Sequence, residues 1–392
     1  MSAAVFIGWV AMAGLVYLYI GYPLLVALLA RVMARPVIRG ETTDRVSVLV
    51  SCYGETDRLV EKVRAVLALP GAERICQVLV GLDGEGGGHA EELAGRIGDP
   101  RVAVIGFAVR RGKPAVLNDL MSRITGSIVL MLDVRQRLGE QTIPALLSRF
   151  ADPSVGVVSG ELVFVHDLRD TAAAVGIGAY WRYEKWIRKN EAAIASVPGA
   201  TGALYAIRRQ CLRPMPSELV LDDVVLPMQA VVEGWRCVFE PAAVAYDVPA
   251  ANVRRENIRK RRTIAGCIQL LWKRMRWLLP WVNPIAWQYG SHKILRVLSP
   301  WLLLAVLVSS IILKENRLYA AGLIAQGVFY GAGVAALLVQ QKRWRLPGVG
   351  MVGVFLALQG AILLAWWDWF RGQTRVAWDV SGTQQGSGGF MR

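Results

Sequence analysis

The chain has 392 residues, 54% of them hydrophobic, and a net charge of +15 at pH 7. The length exceeds one average domain, and the composition is too apolar for an ordinary soluble protein of this size. The five cysteines are scattered, without C-x-x-C or paired-histidine spacing, which argues against a structural zinc site or a disulfide framework. The basic residues concentrate beside apolar segments, which favours anionic lipid headgroups as partners and disfavours nucleic acid.

The chain opens with a nearly uncharged run, Val5–Ala30, that is long enough to cross a bilayer. No basic n-region precedes the run and no A-x-A cleavage site follows it, so we expect a retained anchor. The basic residues Arg31, Arg35 and Arg39 come next and predict that the following segment is cytoplasmic. Three later apolar runs bring the number of predicted transmembrane helices to four: Val297–Leu313, Leu318–Val339 and Pro347–Phe370.

These segments predict a multi-pass protein of the inner (plasma) membrane, with the lipid bilayer as a partner. The predicted regions are an anchor (1–40), a cytoplasmic domain (41–250), interfacial amphipathic helices (251–293), three transmembrane helices (294–372) and a tail (373–392). Helix parity places the basic loop Gln341–Arg345 inside and the tail outside, although the tail's own arginines favour the inside.

Short apolar strands alternate with helical patterns along the predicted cytoplasmic domain. The predicted strands are Arg45–Ser51, Gln77–Leu82, Val102–Phe107, Ile128–Met131 and Val155–Phe164, and the predicted helices between them are Asp57–Leu69, Pro114–Ile124 and Glu140–Phe150. This alternation predicts an α/β fold with a mostly parallel sheet flanked by helices.

Acidic residues follow three of these strands: Glu55, Asp83 and Asp133. The carboxyl ends of parallel strands meet at one edge of a sheet, where α/β proteins place their ligands. Asp133 is therefore a candidate nucleotide-diphosphate or metal-binding group, with a helix N-cap as the alternative. The glycine-rich loop after Asp83 lacks the Lys and Ser/Thr of a P-loop, which favours a flexible turn.

Two later segments each permit a functional and a structural interpretation. Asp222 and Asp223 begin a predicted helix and are typical of an N-cap, but a glycine-rich segment containing Gly199 and Gly202 precedes them and would let backbone approach a substrate. The basic stretch Arg254–Gln269 has the composition of an amphipathic helix at a membrane surface, and a functional role is equally open.

The chain resembles the membrane-bound family 2 glycosyltransferases, relatives of hyaluronan, chitin, cellulose and poly-N-acetylglucosamine synthases, over about residues 45–300. The family's opening P-x-Y-N-E motif appears as Ser51-Cys52-Tyr53-Gly54-Glu55, its G-K-x-x-x-L-N element matches Gly112–Asn118, and Asp133 takes the first position of D-x-D. The resemblance implies a GT-A-like fold. It also implies a nucleotide-sugar site formed by Tyr53, Glu55, Asp83, Lys113, Asp133 and Arg135.

The D-x-D motif departs from the family pattern, because Arg135 stands where the second, metal-coordinating Asp normally lies. Either Asp133 alone binds Mg²⁺ or Mn²⁺ with the diphosphate and waters, or Arg135 replaces part of the metal's charge. We favour a retained metal, since Mg²⁺ needs only one or two carboxylates when phosphates supply other ligands.

The family's T-E-D motif matches Leu221-Asp222-Asp223, which implies that Asp223 is the general base beside Asp222. The Q-x-x-R-W motif of processive synthases aligns with residues 259–263. There Arg262 is kept, Arg259 replaces Gln, and Thr263 replaces the Trp that would stack an acceptor sugar. We therefore assign Gly199, Gly202, Arg259 and Arg262 to the acceptor side, and the missing Trp argues against processive synthesis.

The resulting hypothesis is an inverting glycosyltransferase of the hexosyltransferase class. It would move a sugar from a nucleotide-sugar donor, by the resemblance a UDP-sugar, to a membrane-associated glycan or lipid-linked acceptor in exopolysaccharide or cell-envelope glycan synthesis. Polysaccharide-export proteins are conceivable partners. The alternative is a catalytically silent scaffold of a secretion complex that binds a nucleotide or a polysaccharide.

Overall fold

The computed structural model describes residues 2–165, 172–247, 253–338 and 349–372. These segments form an eight-stranded sheet covered by helices on both faces, together with four helices that are long and apolar enough to cross a membrane. The predicted basic loop Gln341–Arg345 and the tail from residue 373 onward lie outside the described residues.

The strands in chain order are β1 (Val46–Cys52), β2 (Ile75–Asp83), β3 (Val102–Phe107), β4 (Ile128–Leu132), β5 (Arg137–Leu138), β6 (Val155–Phe164), β7 (Leu204–Arg208) and β8 (Arg236–Asp247). Their order across the sheet is β3-β2-β1-β4-β7-β6-β8-β5. The first four strands pair in parallel, β6 is parallel to β8, and β7 runs antiparallel to both of its neighbours. The mostly parallel sheet predicted from the sequence is therefore confirmed, with two reversed strands among those described, β7 near the centre and β5 at the edge.

The helices outside the candidate membrane spans are α3 (Thr56–Leu67), α4 (Gly87–Ile97), α5 (Lys113–Met121), α6 (Thr142–Ser148), α7 (Ala172–Ile194), α8 (Asp222–Val232) and α9 (Val253–Lys273). The apolar helices are α1 (Ser2–Val16), α2 (Tyr22–Val32), α10 (Ala286–Gln288), α11 (Leu295–Ile312), α12 (Arg317–Leu338) and α13 (Val349–Phe370). Two π-helical segments, Tyr17–Gly21 and Tyr289–Ile294, join α1 to α2 and α10 to α11. Each joined pair is one candidate membrane span.

The alternation of side chains along β1 divides the core between the two faces of the sheet. Val46, Val48 and Val50 pack on one face with residues of α3, α4 and α6. Leu49 lies on the other face, in a cluster with residues of α5, α8 and α9. Because both faces of β1 are covered, all seven of its residues are buried. This two-sided burial holds the loops at the strand ends in fixed positions.

The four predicted membrane segments coincide with four candidate spans. The second span begins at Ala286, ahead of the Val297 expected from hydropathy, and so includes residues that the sequence placed in an interfacial segment. Hydropathy placed the start too late because polar residues such as His292 and Lys293 lower the hydropathy of this helix, although they do not interrupt it. The exposed Trp272 and Trp281 lie just before this span, where indole rings favour a membrane interface.

A buried polar network joins α7 to the membrane helices; we call it the seam cluster (Tyr22, Glu184, Glu191, His292 and Arg296). The His292 ring lies between two carboxylates, with Nδ1 at 2.8 Å from Glu191 and Nε2 at 3.0 Å from Glu184. Arg296 pairs with Glu184, and Tyr22 donates to Glu191. Burial raises the pKa of Glu184, but the charge of Arg296 and the hydrogen bond from His292 outweigh it and hold that pKa well below its usual range.

Candidate active site

The ends of β1, β2 and β4 meet at one edge of the sheet. Cys52 pairs with Leu82, and Val50 pairs with Leu132, so the residues that follow these strands lie side by side. Glu55 and Asp133 lie in the loops after β1 and β4, and Asp83 is the last residue of β2. The structure therefore brings together the three acidic strand ends that the sequence singled out.

Four residues form what we call the open cluster: Lys113, Asp133, Asp222 and Asp223. The Lys113 Nζ lies 2.9 Å from the Asp133 carboxylate and 3.1 Å from the Asp222 carboxylate. Burial lowers the pKa of Lys113, but the two carboxylates outweigh that effect and raise it above its usual value. Lys113 is therefore a fixed cation that ties the end of β4 to the start of α8.

The turn before α5 aims Lys113 into this cleft. The buried Asp83 accepts hydrogen bonds from the backbone N–H groups of Arg111, at 2.7 Å, and Gly112, at 2.8 Å. Gly112 has φ +87°, a conformation that side chains other than glycine adopt only with strain. In the structure Asp83 thus shapes the lysine-bearing turn, and its predicted contact with the nucleotide stays a prediction.

Asp223 lies beside Asp222 at the start of α8 but has a different environment. Its main-chain carbonyl accepts a hydrogen bond from the Ala200 N–H at 2.6 Å. The glycine-rich segment covers its side chain so closely that a Cβ on Gly202 would lie 2.9 Å from Asp223 Oδ2. Burial, and then the neighbouring Asp222 charge, raise the pKa of Asp223 to about 6. A carboxyl group with such a pKa suits proton abstraction near neutral pH.

A second part of the cleft lies around the end of β1. Tyr53 stacks under the Arg110 guanidinium, whose Cζ is 4.3 Å from the ring centroid. Glu55 is half-exposed and lies 3.7 Å from Arg58, and Glu85 accepts the Gly54 N–H. The aromatic ring and carboxylates of this region are suited to a base and ribose.

Arg110 was not among the residues assigned to the site from the sequence. Its Nε and Nη2 atoms are buried and have no hydrogen-bond partner among the described residues. Buried polar atoms in proteins normally have partners, so an unpartnered guanidinium beside a cleft is a candidate ligand-binding group. The available signal was the basic turn Arg110-Arg111-Gly112-Lys113, which carries three cations in four residues.

Arg135, in place of the second D-x-D aspartate, turns away from Asp133. Its Nη2 lies 2.6 Å from the buried Asp247 at the end of β8, and Gln136 donates to the same oxygen. Asp133 is thus the remaining carboxylate of the motif, with about a third of its side chain exposed. Among the described residues no three His, Cys, Asp or Glu side chains are grouped to hold a metal. One exposed carboxylate fits an ion that the donor's phosphates also coordinate.

Two further cations approach the open cluster from the membrane side. Burial lowers the pKa of Arg262 on α9, although the nearby charges of Asp222, Asp133 and Asp223 act to raise it. Lys293 lies in the π-helical segment Tyr289–Ile294. Its charge lowers the pKa of Asp223 and so opposes the effect of the burial of Asp223. The side chain of Arg259 lies outside the described residues.

The model of the family "Glycosyltransferase like family 2" matches residues 44–267. The chain is 19% identical over 268 residues to the poly-beta-1,6-N-acetyl-D-glucosamine synthases of Staphylococcus aureus strains MSSA476 and MW2. These matches cover 67% of this chain and 58% of each relative, so the chain spans less than two thirds of the relatives' length.

A solved structure is similar over nearly the whole chain: the mannosyltransferase PcManGT from Pyrobaculum calidifontis, in complex with GDP-Man and Mn²⁺. The TM-score is 0.68 at 22% sequence identity, and the match covers 92% of this chain and 98% of that chain. At that identity the likeness supports the fold, a GT-A-like sheet with flanking helices. Because the family model spans more than half of the chain, this protein belongs to glycosyltransferase family 2 and is a glycosyltransferase related to exopolysaccharide synthases.

Proposed function

We propose that the protein is an inverting glycosyltransferase that moves a sugar from a nucleotide-sugar donor to a membrane-associated glycan or lipid-linked acceptor. The observation that carries this proposal is the open cluster, in which Lys113 joins Asp133 to Asp222 beside the partly buried Asp223. It combines a cation for a diphosphate with a carboxylate whose raised pKa suits a base. The four candidate spans support a membrane acceptor, and Arg31, Arg35 and Arg39 favour a cytoplasmic position for the site.

We infer how the nucleotide-sugar donor would bind from the side chains that line the cleft. Tyr53, Glu55 and Asp83 would face the nucleoside, and Lys113 and Arg110 would contact the diphosphate. A UDP-sugar is the first donor to test because of the motif resemblance, and a GDP-sugar is the second because PcManGT was solved with GDP-Man. Lys113 stabilises the negative charge that grows on the leaving diphosphate as the glycosidic bond breaks.

Asp223 would act on the acceptor. An acceptor hydroxyl is a weak nucleophile, and a carboxylate within hydrogen-bond reach removes its proton as its oxygen attacks the anomeric carbon. This direct displacement inverts the anomeric configuration and yields a β-linkage from an α-linked donor. Asp222 would hold Lys113 in place, since its carboxylate already contacts the Lys113 ammonium and the Tyr205 hydroxyl.

A divalent cation fits this site at Asp133. Such an ion, Mg²⁺ or Mn²⁺, supplies additional charge neutralisation for a diphosphate when bound. Asp133 would hold it, and the described geometry keeps Arg135 on Asp247 and so away from that task. Of the two explanations for the altered D-x-D motif, this arrangement favours metal retention over replacement of the metal charge by Arg135.

The test is nucleotide release from a panel of UDP- and GDP-sugars by the detergent-purified full chain, with lipid extract and with or without Mn²⁺. We expect metal-dependent release from one donor, abolished in Asp133→Asn and Asp223→Asn but retained in Lys260→Gln, a change at an exposed position of α9. Absence of release from every donor would instead support the silent scaffold. Product length on a lipid acceptor then separates transfer of one sugar from polymer synthesis.

A further inference from the structure

We propose that Arg188 on α7 is a positioning residue that holds the glycine-rich segment against Asp223 and so fixes the carboxylate for attack by the acceptor. The proposal rests on the proposed function, since it assumes that Asp223 is the base. It assigns a role to a residue that no sequence motif marked.

The first observation is how Arg188 is bound. Its Nη1 donates to the Thr201 hydroxyl at 2.8 Å, and its Nη2 donates to the Ser159 hydroxyl at 2.7 Å and to the Gly199 carbonyl at 3.4 Å. The guanidinium also lies over the Phe239 ring, with 5.0 Å between Cζ and the centroid. One side chain of α7 thus connects β6, β8 and the segment 199–202.

The second observation is that these partners are neutral. None of the ion pairs between described residues includes Arg188, and burial lowers its pKa. Burying most of a cation without a direct carboxylate partner costs free energy. An uncharged side chain that only packed at this position would avoid that cost. The planar fork of arginine can, however, bind two hydroxyls and a carbonyl at fixed angles, which lysine or glutamine cannot do.

The third observation is the short route from Arg188 to the base. Thr201, whose hydroxyl Arg188 binds, also receives support from β6: its N–H donates to Ser159 Oγ at 2.9 Å and its hydroxyl donates to the Gly160 carbonyl at 2.7 Å. The residue before it, Ala200, donates to the Asp223 carbonyl, and the residue after it, Gly202, abuts the Asp223 carboxylate. A shift of this segment therefore moves one wall of the pocket that contains Asp223.

The position of this wall affects chemistry more than donor binding. The donor-side residues Tyr53, Arg110 and Lys113 lie on other loops and make no described contact with Arg188. A displacement of about 1 Å between reacting groups can lower a rate about 100-fold. We therefore expect the loss of Arg188 to lower kcat for transfer while the KM for the donor stays nearly constant.

The experiment compares Arg188→Gln, Arg188→Lys and the matched control Arg182→Gln, an exposed arginine on the same helix, in the full chain in detergent. Amide hydrogen exchange of residues 199–203 is measured together with transfer from whichever donor the panel identifies. In Arg188→Gln we expect exchange about tenfold faster, kcat about 100-fold lower and donor KM within about twofold. Arg188→Lys should recover part of kcat, and Arg182→Gln should match wild type.

Unchanged exchange at residues 199–203 in Arg188→Gln overturns the proposal, and so does a rise in donor KM with kcat unchanged. If Arg188→Gln does not fold, Thr201→Val is used instead, because it removes the hydroxyl that accepts a hydrogen bond from Arg188. In that variant we expect a smaller fall in kcat, again with the donor KM nearly constant. Retained activity in Asp223→Asn refutes the proposed base, while hydrogen exchange still decides whether Arg188 holds the segment.

Discussion

The open cluster and the seam cluster have the same local arrangement but different surroundings. In each, a basic side chain lies between two carboxylates: Lys113 between Asp133 and Asp222, and His292 between Glu184 and Glu191. The Asp133 side chain is 35% exposed to the cleft, whereas the Glu191 side chain is 0% exposed. Access for a substrate, rather than the presence of buried charge, therefore distinguishes the proposed site of chemistry from the buried network.

The open cluster and the seam cluster also differ in whether a carboxylate lacks a strong partner. In the open cluster, Asp223 stands beside the paired Asp222, and burial followed by the Asp222 charge raises its pKa to about 6. In the seam cluster, the pKa of Glu184 is held low by Arg296 and His292 despite its burial. The first environment prepares a carboxylate to accept a proton, and the second keeps one permanently ionised.

The largest expected effect comes from Asp223→Asn, which removes the proposed base with little change in volume. Loss of a general base lowers rates by about 10²–10⁴-fold, so transfer should fall within that range while the purified protein keeps its thermal unfolding temperature. Transfer rates are measured at saturating donor. A loss of less than about tenfold in the transfer rate would contradict the assignment of Asp223 as the base.

A smaller but still large loss is expected for Lys113→Met. The substitution removes the cation that we propose stabilises the leaving diphosphate, and losing one such electrostatic group costs about 10²–10³-fold in kcat. Binding of UDP and GDP to the variant, measured by calorimetry, should also weaken. Lys260→Gln is the control for general loss of positive charge, and equal effects in the two variants would contradict a specific role.

The seam cluster should respond in stability rather than in chemistry. His292→Gln leaves two buried carboxylates without their shared partner, and breaking a buried ionic network costs about 3–5 kcal/mol. Thermal unfolding of the detergent-purified variant should shift to clearly lower temperature. At a temperature where the variant is folded, its kcat should remain within a fewfold of wild type. A stable protein with abolished transfer would mean that both clusters take part in catalysis.

The smallest effect is expected at Lys293, which lies next to His292 in sequence yet acts on the open cluster. Its charge lowers the pKa of Asp223, so Lys293→Gln should raise that pKa further. Because the base must be deprotonated, the acid limb of the pH profile should move up, by about one unit at most. An acid limb that moves down, or that moves equally in Lys260→Gln, would contradict this assignment.

Much of the fold and the open cluster could be predicted from the sequence. The strand–helix alternation predicts the parallel part of the sheet, and parallel pairing places the loops after β1, β2 and β4 together. The acidic strand end singled out Asp133, whereas Lys113 and Asp223 were assigned through the resemblance to family motifs. The sequence motifs did not reveal that Asp83 is bonded to the turn before Lys113.

The seam cluster could not be predicted because its partners are distant in the chain, and Arg188 could not be predicted for a different reason. Glu184 and His292 are 108 residues apart, and Arg135 finds Asp247 at a separation of 112. No periodic pattern specifies such pairs, since they depend on how α7 packs against the membrane helices and how β8 ends beside the cleft. Arg188 binds only neutral groups in the described hydrogen bonds, so no charge pattern in the sequence identified it.

The most direct test of the account is the pH dependence of kcat/KM for the donor in transfer by the wild-type protein. The raised pKa of Asp223 predicts that kcat/KM is constant above neutral pH and falls below a midpoint near pH 6, as one proton binds per active site. A profile that stays flat down to pH 4.5, or whose midpoint persists unchanged in the residual activity of Asp223→Asn, would contradict the assignment of Asp223 as the base.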